Sequence, residues 1–426
     1  MNNFQTICAI STPSGIGGVA MIRVSGADCF SICQKIVSVD ISKLKPRYIQ
    51  NCKICECDNG MVAKFIAPHS FTGEDCIELY IHGGIALQKK VVDELFKAGC
   101  VQAGAGEFTH RAFINGKIDL LEAEAIGNII HAQTENALNS ASSGVHGVLS
   151  EKIRAIRQEL ITIAASLFVD MDFGEEEHET LLPDLGASIS ALEELLATAD
   201  NGIIANQGLN VAIVGAPNVG KSSLLNALLG EDRAIVTDIA GTTRDSIHAQ
   251  ANINGHLVNF IDTAGIRQTN DEIEKIGIER ARQAMDSADL LLIVVDDNSP
   301  PPEGWRAKRA GVVSLIVRNK CDIQHTKIPC DIEVSAKTGF GIDELCKKIT
   351  RYCCEITPNT PIITNLRQKN QISHALLALQ SINKTTPLDS MVTSIEAAIS
   401  SLSETIGENV SGEIISEIFA KFCVGK

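Results

Sequence analysis

The sequence predicts a multidomain α/β + α chain: a β-rich α+β domain at the N-terminus, a split helical-bundle domain, and an inserted doubly wound α/β domain. Three observations carry that reading. Residues 210–355 alternate short apolar strands with helical stretches, the pattern of a doubly wound sheet. Residues 118–209 and 356–426 flank that block, and both carry apolar residues at helical spacing. Residues 1–117 instead show short strands broken by glycine and proline.

In 1–117, TICAIS (6–11) and VAMIRVS (19–25) flank the turn-forming PSGIGG, and CIELYIHGG (76–84) ends on a glycine pair. PSGIGG joins two strands rather than opening a helix, so a tight turn is expected there and not a phosphate loop. From about residue 118 the period changes. Leu149, Ile153, Ile156, Leu160, Ile163 and Leu167 recur by fours and threes on one helix face. The acidic DFGEEEHE (172–179) is expected to interrupt the helices as a solvated loop or helix start. The strands of 210–355 are NVAIVG, HLVNFID, LLLIVVD, VVSLIVRNK and DIEVSA. After Pro361 the helical period returns at Leu388, Val392, Ile395, Ile399, Leu402 and Ile406. GEIISEIFAKFCVGK then closes the chain as a short amphipathic helix with a polar end. Inserting an α/β unit into a helical domain is physically easy, because domain termini often lie close together.

The 426 residues suffice for two or three domains, and 45% hydrophobic with 21% charged residues is an ordinary globular balance. The net charge of −15 argues against a broad nucleic-acid footprint; such a partner would need a local basic patch or a basic helper protein. The 14 cysteines lack the spacing of a secreted disulfide scaffold, and no secretory signal is read at the start. CKICEC (52–57) lacks the second pair of ligands that tetrahedral zinc needs. LLLIVV is too short to span a membrane. A reduced cytoplasmic protein with no membrane partner is the expectation.

GAPNVGKS (215–222) fits GxxxxGK[ST], follows a strand and precedes the helical SSLLNALLG, which is the context the motif requires. Its glycines let backbone N–H groups wrap phosphates, so Asn218, Val219, Gly220 and Ser223 are candidate contacts. Lys221 would reach the β/γ oxygens, and the Ser222 hydroxyl is placed to ligate Mg²⁺. GTTRD (241–245) adds the pair Thr242 and Thr243, one of which should complete the Mg²⁺ shell. DTAG (262–265) supplies Asp262 behind the metal and the Gly265 N–H for the γ-phosphate, with Thr263 and Ala264 between them. NKCD brings Asn319, Lys320 and Asp322, and SAK brings Ser335, Ala336 and Lys337 one strand later. Asp322 can accept two hydrogen bonds from the guanine N1–H and N2 amino groups, which adenine cannot reproduce. Five motifs in this order describe a Ras-like P-loop GTPase domain.

One position departs from the Ras pattern. Ras-type enzymes follow DTAG with a glutamine that orients the attacking water, and here Ile266 can neither donate nor accept a hydrogen bond. Asp271, Glu272, Glu274 and Glu279 in DEIEKIGIER are the nearby carboxylates. The missing positive charge could come from an arginine in cis, an arginine of a partner, or a bound cation.

On SFTGED (70–75), GEFTHRAF (106–113), TDIAGTTRD (237–245) and the terminal FCVGK, the chain resembles the bacterial tRNA modification GTPase family MnmE, also called TrmE, over essentially its full length. The resemblance implies four segments: 1–117 for tetrahydrofolate binding and dimerisation, 118–209 and 356–426 as the two helical halves, and 210–355 as the G domain. It implies K⁺ beside the phosphates on Asn218, Thr237, Ile239 and Thr242, with Asp238, Ala240 and Gly241 around the nucleotide. Mg²⁺ would sit on Ser222 and Thr243. Glu274 becomes the water-organising acid, acting with Lys221 and Gly265. Arg23, Glu78, Lys117 and Lys426 would hold 5,10-methylene- or 5-formyl-tetrahydrofolate. The implied partners are a second copy of the chain, tRNA, and the FAD-containing MnmG (GidA) in a heterotetramer. Together they would add a (carboxymethyl)aminomethyl group at C5 of the wobble uridine (U34). Cys423, inside FCVGK, stays open between nucleophile, packed thiol and positioning residue. Val424 stands where the family usually has isoleucine, and Ile16 where it often has a polar residue. The alternatives are a regulatory switch GTPase of ribosome assembly, whose KH-like or second G domain is not seen here, and flanking domains that act as a scaffold without folate.

Overall fold

The structure, a computed structural model, describes residues 5–173, 183–235, 247–261, 288–299, 313–323, 328–353, 360 and 362–426, without the side chains of 170–173, 231, 232, 247 and 248. It divides into two compact units, residues 1–127 with 402–426, and residues 128–401.

The first unit is built on a six-stranded sheet. Its strands are β1 (Ile7–Ile10), β2 (Gly17–Ser25), β3 (Ile49–Ile54), β4 (Asp58–Phe65), β5 (Cys76–Gly83) and β6 (Val101–Gln102), in the order β3-β4-β5-β2-β1-β6. Only β1 and β6 run parallel. PSGI (13–16) lies in the connection between β1 and β2, as its turn residues predict, and the two glycines that follow open β2. The helices are α1 (Cys29–Gln34), α2 (Ile85–Ala98), α3 (Glu107–Ile114) and α4 (Leu120–His131). Side chains alternate along each strand. Ile22, Val24, Val62, Ile77 and Leu79 point one way and bury with Ile32 of α1 and Val91 and Leu95 of α2. Arg23, Glu78 and Tyr80, the intervening residues, take the opposite face, which Phe108 of α3 covers at the β1 end together with Ile7 and Ala9. The C-terminal helix Gly412–Ala420, capped by the Ser411 hydroxyl, buries Phe419 against Leu120 and Ala123 of α4.

The second unit begins with α5 (Glu135–Val145), α6 (Val148–Phe173), α7 (Gly186–Ala197) and α8 (Ala199–Gln207). Leu149, Ile153, Ile156, Leu160 and Leu167 are buried and Ile163 half-buried, so the predicted stripe is the packed face of α6. This helix runs through Phe173, the second residue of DFGEEEHE. A seven-stranded sheet follows: β7 (Leu209–Gly215), β8 (Ala234–Ile235), β9 (Ile247–Ile253), β10 (His256–Ile261), β11 (Leu290–Val295), β12 (Val313–Arg318) and β13 (Ile332–Glu333). The order is β13-β12-β11-β7-β10-β9-β8, parallel from β13 to β10. Two helices, α9 (Lys221–Arg233) and α10 (Ile342–Thr350), cover one face, where Val211, Ile213, Leu292 and Val294 meet Leu224, Leu228, Leu345 and Ile349. Their sequence neighbours, such as Ala212, Val214, Ile293 and Ile316, are buried on the other face. Burial on both faces is why these strands read as unbroken apolar runs. The unit is completed by α11 (Leu366–Gln380), capped by Asn365, and by the start of α12 (Leu388–Ile406). On α12, Val392, Ile395, Leu402 and Ile406 are buried, and Leu388 and Ile399 half-buried. Among the described residues no helix is long and apolar enough to cross a membrane.

Candidate functional site

The loop 216–220 leaves β7 at the C-terminal edge of the parallel strands and enters the N-terminus of α9, the place where such sheets bind phosphate. Asn218 (φ 64°) and Gly220 (φ 94°) are left-handed. A Cβ on Gly220 would stand 2.3 Å from Asn319 Nδ2, so glycine is required there. Lys221 is half-buried, and its Nζ donates to the carbonyls of Gly215 (3.0 Å) and Ala216 (2.8 Å). Burial holds its pKa below the usual lysine range. Val219 is buried; Ser222 is half-buried and Ser223 exposed in the first turn of α9.

The base-recognition segments are tied to this loop by one side chain. Asn319 Nδ2 donates to Val219 O (3.0 Å), while its Oδ1 accepts from the Ala336 N–H (3.1 Å). Lys320, itself left-handed (φ 64°), donates from Nζ to Asn218 O (2.6 Å) and pairs with Asp296 Oδ2 at 2.8 Å. Burial pushes the Asp296 carboxyl up, but the Lys320 ammonium outweighs it and holds the group below its ordinary value. Ser335 is buried, its Oγ accepting from the Thr338 N–H (3.2 Å); Asp322 and Lys337 are exposed. Sequence reasoning missed Asp296 and the neighbouring Arg318, whose guanidinium bonds Asp297 and Glu333, each at 2.8 Å. The signal was present: two acids follow LLLIVV and a cation precedes NKCD, and parallel pairing sets Val295 beside Arg318. Thr237, Asp238, Ile239, Ala240, Gly241, Thr242, Thr243, Asp262, Thr263, Ala264, Gly265, Ile266, Asp271, Glu272, Glu274 and Glu279 lie outside the described residues.

In the first unit, Arg23 and Glu78 are direct cross-strand partners. The Arg23 Nε and Nη2 donate to Glu78 Oε1 at 3.1 and 3.0 Å, and the Tyr80 hydroxyl donates to Oε2 at 2.6 Å. The guanidinium stands 5.0 Å from the Phe71 ring and 5.7 Å from that of Phe108. Burial, then the bond to Glu78, pushes the Tyr80 phenol up to about 12, so it remains a donor at neutral pH. Each Glu78 oxygen keeps further lone pairs, and those acceptors fit the amino and ring N–H groups of a pterin. Tyr80 was recoverable from strand period, since it lies two residues after Glu78 on the same face.

FCVGK lies against the start of α3. Val424 bridges Ala105, the Gly106 N–H donates to Cys423 O (3.4 Å), and the Phe108 N–H donates to Lys426 O (3.1 Å). Ser11 Oγ donates to Gly425 O at 2.8 Å. The Lys426 carbonyl is thus held on the amide of Phe108, the residue whose ring stands beside Arg23. Lys117 is exposed, its stem lying beside Gly73 of the SFTGED loop that also carries Phe71. The Cys423 side chain is exposed. Among the described residues no group of three or more His, Cys, Asp or Glu is placed to hold a metal ion.

Comparison with known proteins agrees with this geometry. Residues 6–117 match the family model for the GTP-binding protein TrmE N-terminus, and residues 120–423 match that for the MnmE helical domain. The chain is 39% identical to the tRNA modification GTPase MnmE of Acetivibrio thermocellus, over 99% of both chains. It is also 39% identical to the proteins of that name from Fervidobacterium nodosum (100% of this chain, 98% of the other) and Thermotoga maritima (99% and 100%). At that identity over its full length, the chain belongs to the MnmE family of tRNA modification GTPases.

Proposed function

We propose that this chain, a GTP hydrolase of tRNA modification by its family, hydrolyses GTP with potassium in place of the missing glutamine and arginine. The observation that carries the reading is Ile266, an aliphatic residue where water must be oriented, next to an otherwise complete P-loop, NKCD and SAK framework. Asn218 fits a cation ligand: it is exposed, left-handed, and its side chain makes no hydrogen bond among the described residues. Thr237, Ile239 and Thr242 would complete the K⁺ shell, and Ser222 with Thr243 would hold Mg²⁺. A bound K⁺ supplies positive charge where it develops during phosphoryl transfer. Lys221, freed from its own loop carbonyls, would meet the β/γ oxygens, the Gly265 N–H the γ-phosphate, and Glu274 the attacking water.

The first unit supports a folate reading. Arg23, Glu78 and Tyr80 would orient a pterin, with Lys117 and Lys426 toward the acidic tail. The bound folate would supply a one-carbon unit for C5 of the wobble uridine. Cys423 sits at that edge with its side chain exposed. We further propose a homodimer that works in the cytoplasm with tRNA and the FAD-containing MnmG, with the domain boundaries set out above.

The test is GTP turnover by the full-length chain in matched potassium and sodium salts. A sharp loss in sodium is expected, and Glu274→Ala should cut turnover while leaving GTP binding nearly intact. Equal turnover in both salts would exclude the cation, and normal turnover in the variant would exclude Glu274. Nucleoside analysis of tRNA from cells lacking the chain tests the modification itself.

A further inference from the structure

We propose that the outer strand of the first unit's sheet is an RNA-docking surface. Single-stranded, uridine-bearing RNA would track along Lys45, Arg47, Tyr48 and Lys53 toward the Arg23–Glu78 pair. The inference rests on the tRNA-modification reading and adds to it the place where the RNA is held.

Charge is the first argument. The chain carries −15 overall, yet residues 41–55 hold four cations and no carboxylate. Lys43 shares its charge with Asp40 at 3.3 Å, whereas Lys45, Arg47 and Lys53 are exposed and form no ion pair among the described residues. Beneath them the buried Lys64 ammonium donates to Ile41 O at 2.9 Å, adding positive charge below the same segment. A phosphate backbone answers such a local patch in an acidic protein.

Backbone conformation is the second. KPRY (45–48) forms a turn closed by the Tyr48 N–H to Lys45 O (3.3 Å), with Pro46 at its second position and Arg47 at φ 65° in the third. That is a type II turn, whose third position favours glycine. Arginine is held there against its conformational preference, and such outliers gather at functional sites. Tyr48 is 57% exposed, with the Lys45 Nζ 4.0 Å from its ring centroid. An exposed ring backed by a cation is a platform for an unstacked base, which favours RNA loops over other polyanions.

Register is the third. Ile49, two residues past Arg47, pairs with Ala63, Ala63 with Glu78, and Glu78 with Arg23. The basic edge and the Arg23–Glu78 pair therefore lie on one cross-strand row. Two strand spacings separate Ile49 from Glu78 and three separate it from Arg23, about 10 and 14 Å.

The experiment is fluorescence polarisation of the full-length chain with a labelled anticodon stem-loop RNA bearing uridine at the wobble position, alongside its stem alone. Reversing charge in Lys45→Glu with Arg47→Glu should weaken loop binding at least ~10-fold and lower the salt slope by about 2. Tyr48→Ala should weaken the loop RNA and leave the stem unchanged. Arg47→Gly should weaken RNA binding while melting no lower than the parent, because glycine suits the turn. GTP turnover should be unchanged in all three. Variants that bind the loop within twofold of the parent overturn the docking surface and leave the tRNA reading standing. A changed oligomeric state with unchanged RNA affinity also overturns it, reassigning the strand to self-association. No RNA binding by the parent chain likewise overturns the docking surface, whereas unaltered wobble uridine in tRNA from cells lacking the chain is the result that overturns the tRNA-modification reading.

Discussion

Arg111 sets its Nη1 3.1 Å from Glu74 Oε2 and its Nη2 2.7 Å from Glu107 Oε1, with its side chain 3% exposed. The first contact joins SFTGED to GEFTHRAF across 37 residues of sequence. Glu107 in turn accepts from the Gly104 N–H (2.7 Å), and Arg111 Nη2 donates to Gln5 O (2.9 Å). The first turn of α3 is thus held from both sides. It is this turn whose Gly106 and Phe108 amides meet the carbonyls of Cys423 and Lys426. The ion pair is structural, and through α3 it positions the C-terminal motif.

Replacing Arg111 with methionine removes the cation between Glu74 and Glu107 and leaves two partly buried carboxylates without a counter-charge. Breaking such a pair from one side costs about 3–5 kcal/mol. Urea denaturation of the full chain should show a loss of that size. Arg111→Lys should recover only part of it, because an ammonium cannot span both acids as the guanidinium fork does. A loss below about 1 kcal/mol would mean that water already screens the two acids.

Gly220→Ala should abolish GTP binding without unfolding the chain. The new methyl would meet Asn319 Nδ2 at 2.3 Å, and the φ of 94° disfavours any side chain. Asn319 would have to leave Val219 or Ala336, uncoupling the phosphate loop from base recognition. Fluorescent GTP titration should show affinity down by at least ~100-fold, about 2.7 kcal/mol. Retained affinity would show that the loop relaxes around the methyl.

How much of this was legible follows from where the information lies along the chain. The P-loop could be read because strand, loop and helix are consecutive, and their chemistry depends on local backbone conformation. The stripe on α6 and the apolar runs β7 and β11 were readable for the same reason, through period. Arg23 with Glu78 required a resemblance, since no periodicity states that β2 pairs with β5 or in which register. Arg111 with Glu74 and Lys320 with Asp296 were missed because a charged pair is invisible until the fold brings its members together. Nor does composition place Val424 beside Ala105.

Stability should fall as the pH drops past neutrality, and His110 should carry part of that fall. Its ring lies 4.9 Å from that of Phe419, and burial lowers its pKa below the ordinary histidine value near 6.5. The folded state therefore binds this proton less readily than the unfolded chain. The stabilisation is present above about 6.5 and is lost as pH falls through the lower folded-state value. In thermal melts between pH 7.5 and 5, His110→Phe should flatten the slope relative to the parent. An unchanged slope would assign the acid sensitivity to other groups.

The second unit holds an analogous tie at Asn259, which is 2% exposed on β10. Its Nδ2 donates to Gln207 O (2.8 Å), at the end of α8, and to Asn210 Oδ1 (3.2 Å) on β7, while its Oδ1 accepts from Gln250 Nε2 (2.9 Å) on β9. Gly208, left-handed at φ 89°, leaves the room: a Cβ there would lie 2.7 Å from Asn259 Nδ2. Asn259→Asp keeps the shape but turns a donor into a charged acceptor facing two oxygens. At neutral pH the carboxylate should cost about 3 kcal/mol, the scale of a buried charge without a partner. Burial and the two oxygens should raise its folded-state pKa well above the unfolded value near 4, because the protonated acid can donate as the amide did. The penalty relative to the parent is therefore full above the folded-state pKa and shrinks as pH falls through it toward the unfolded value. Urea denaturation of parent and variant at pH 7.5 and 5 should show the gap closing at the lower pH. A gap independent of pH would mean that the carboxylate is hydrated in place, and no gap at either pH would mean that α8, β7 and β9 do not depend on this amide.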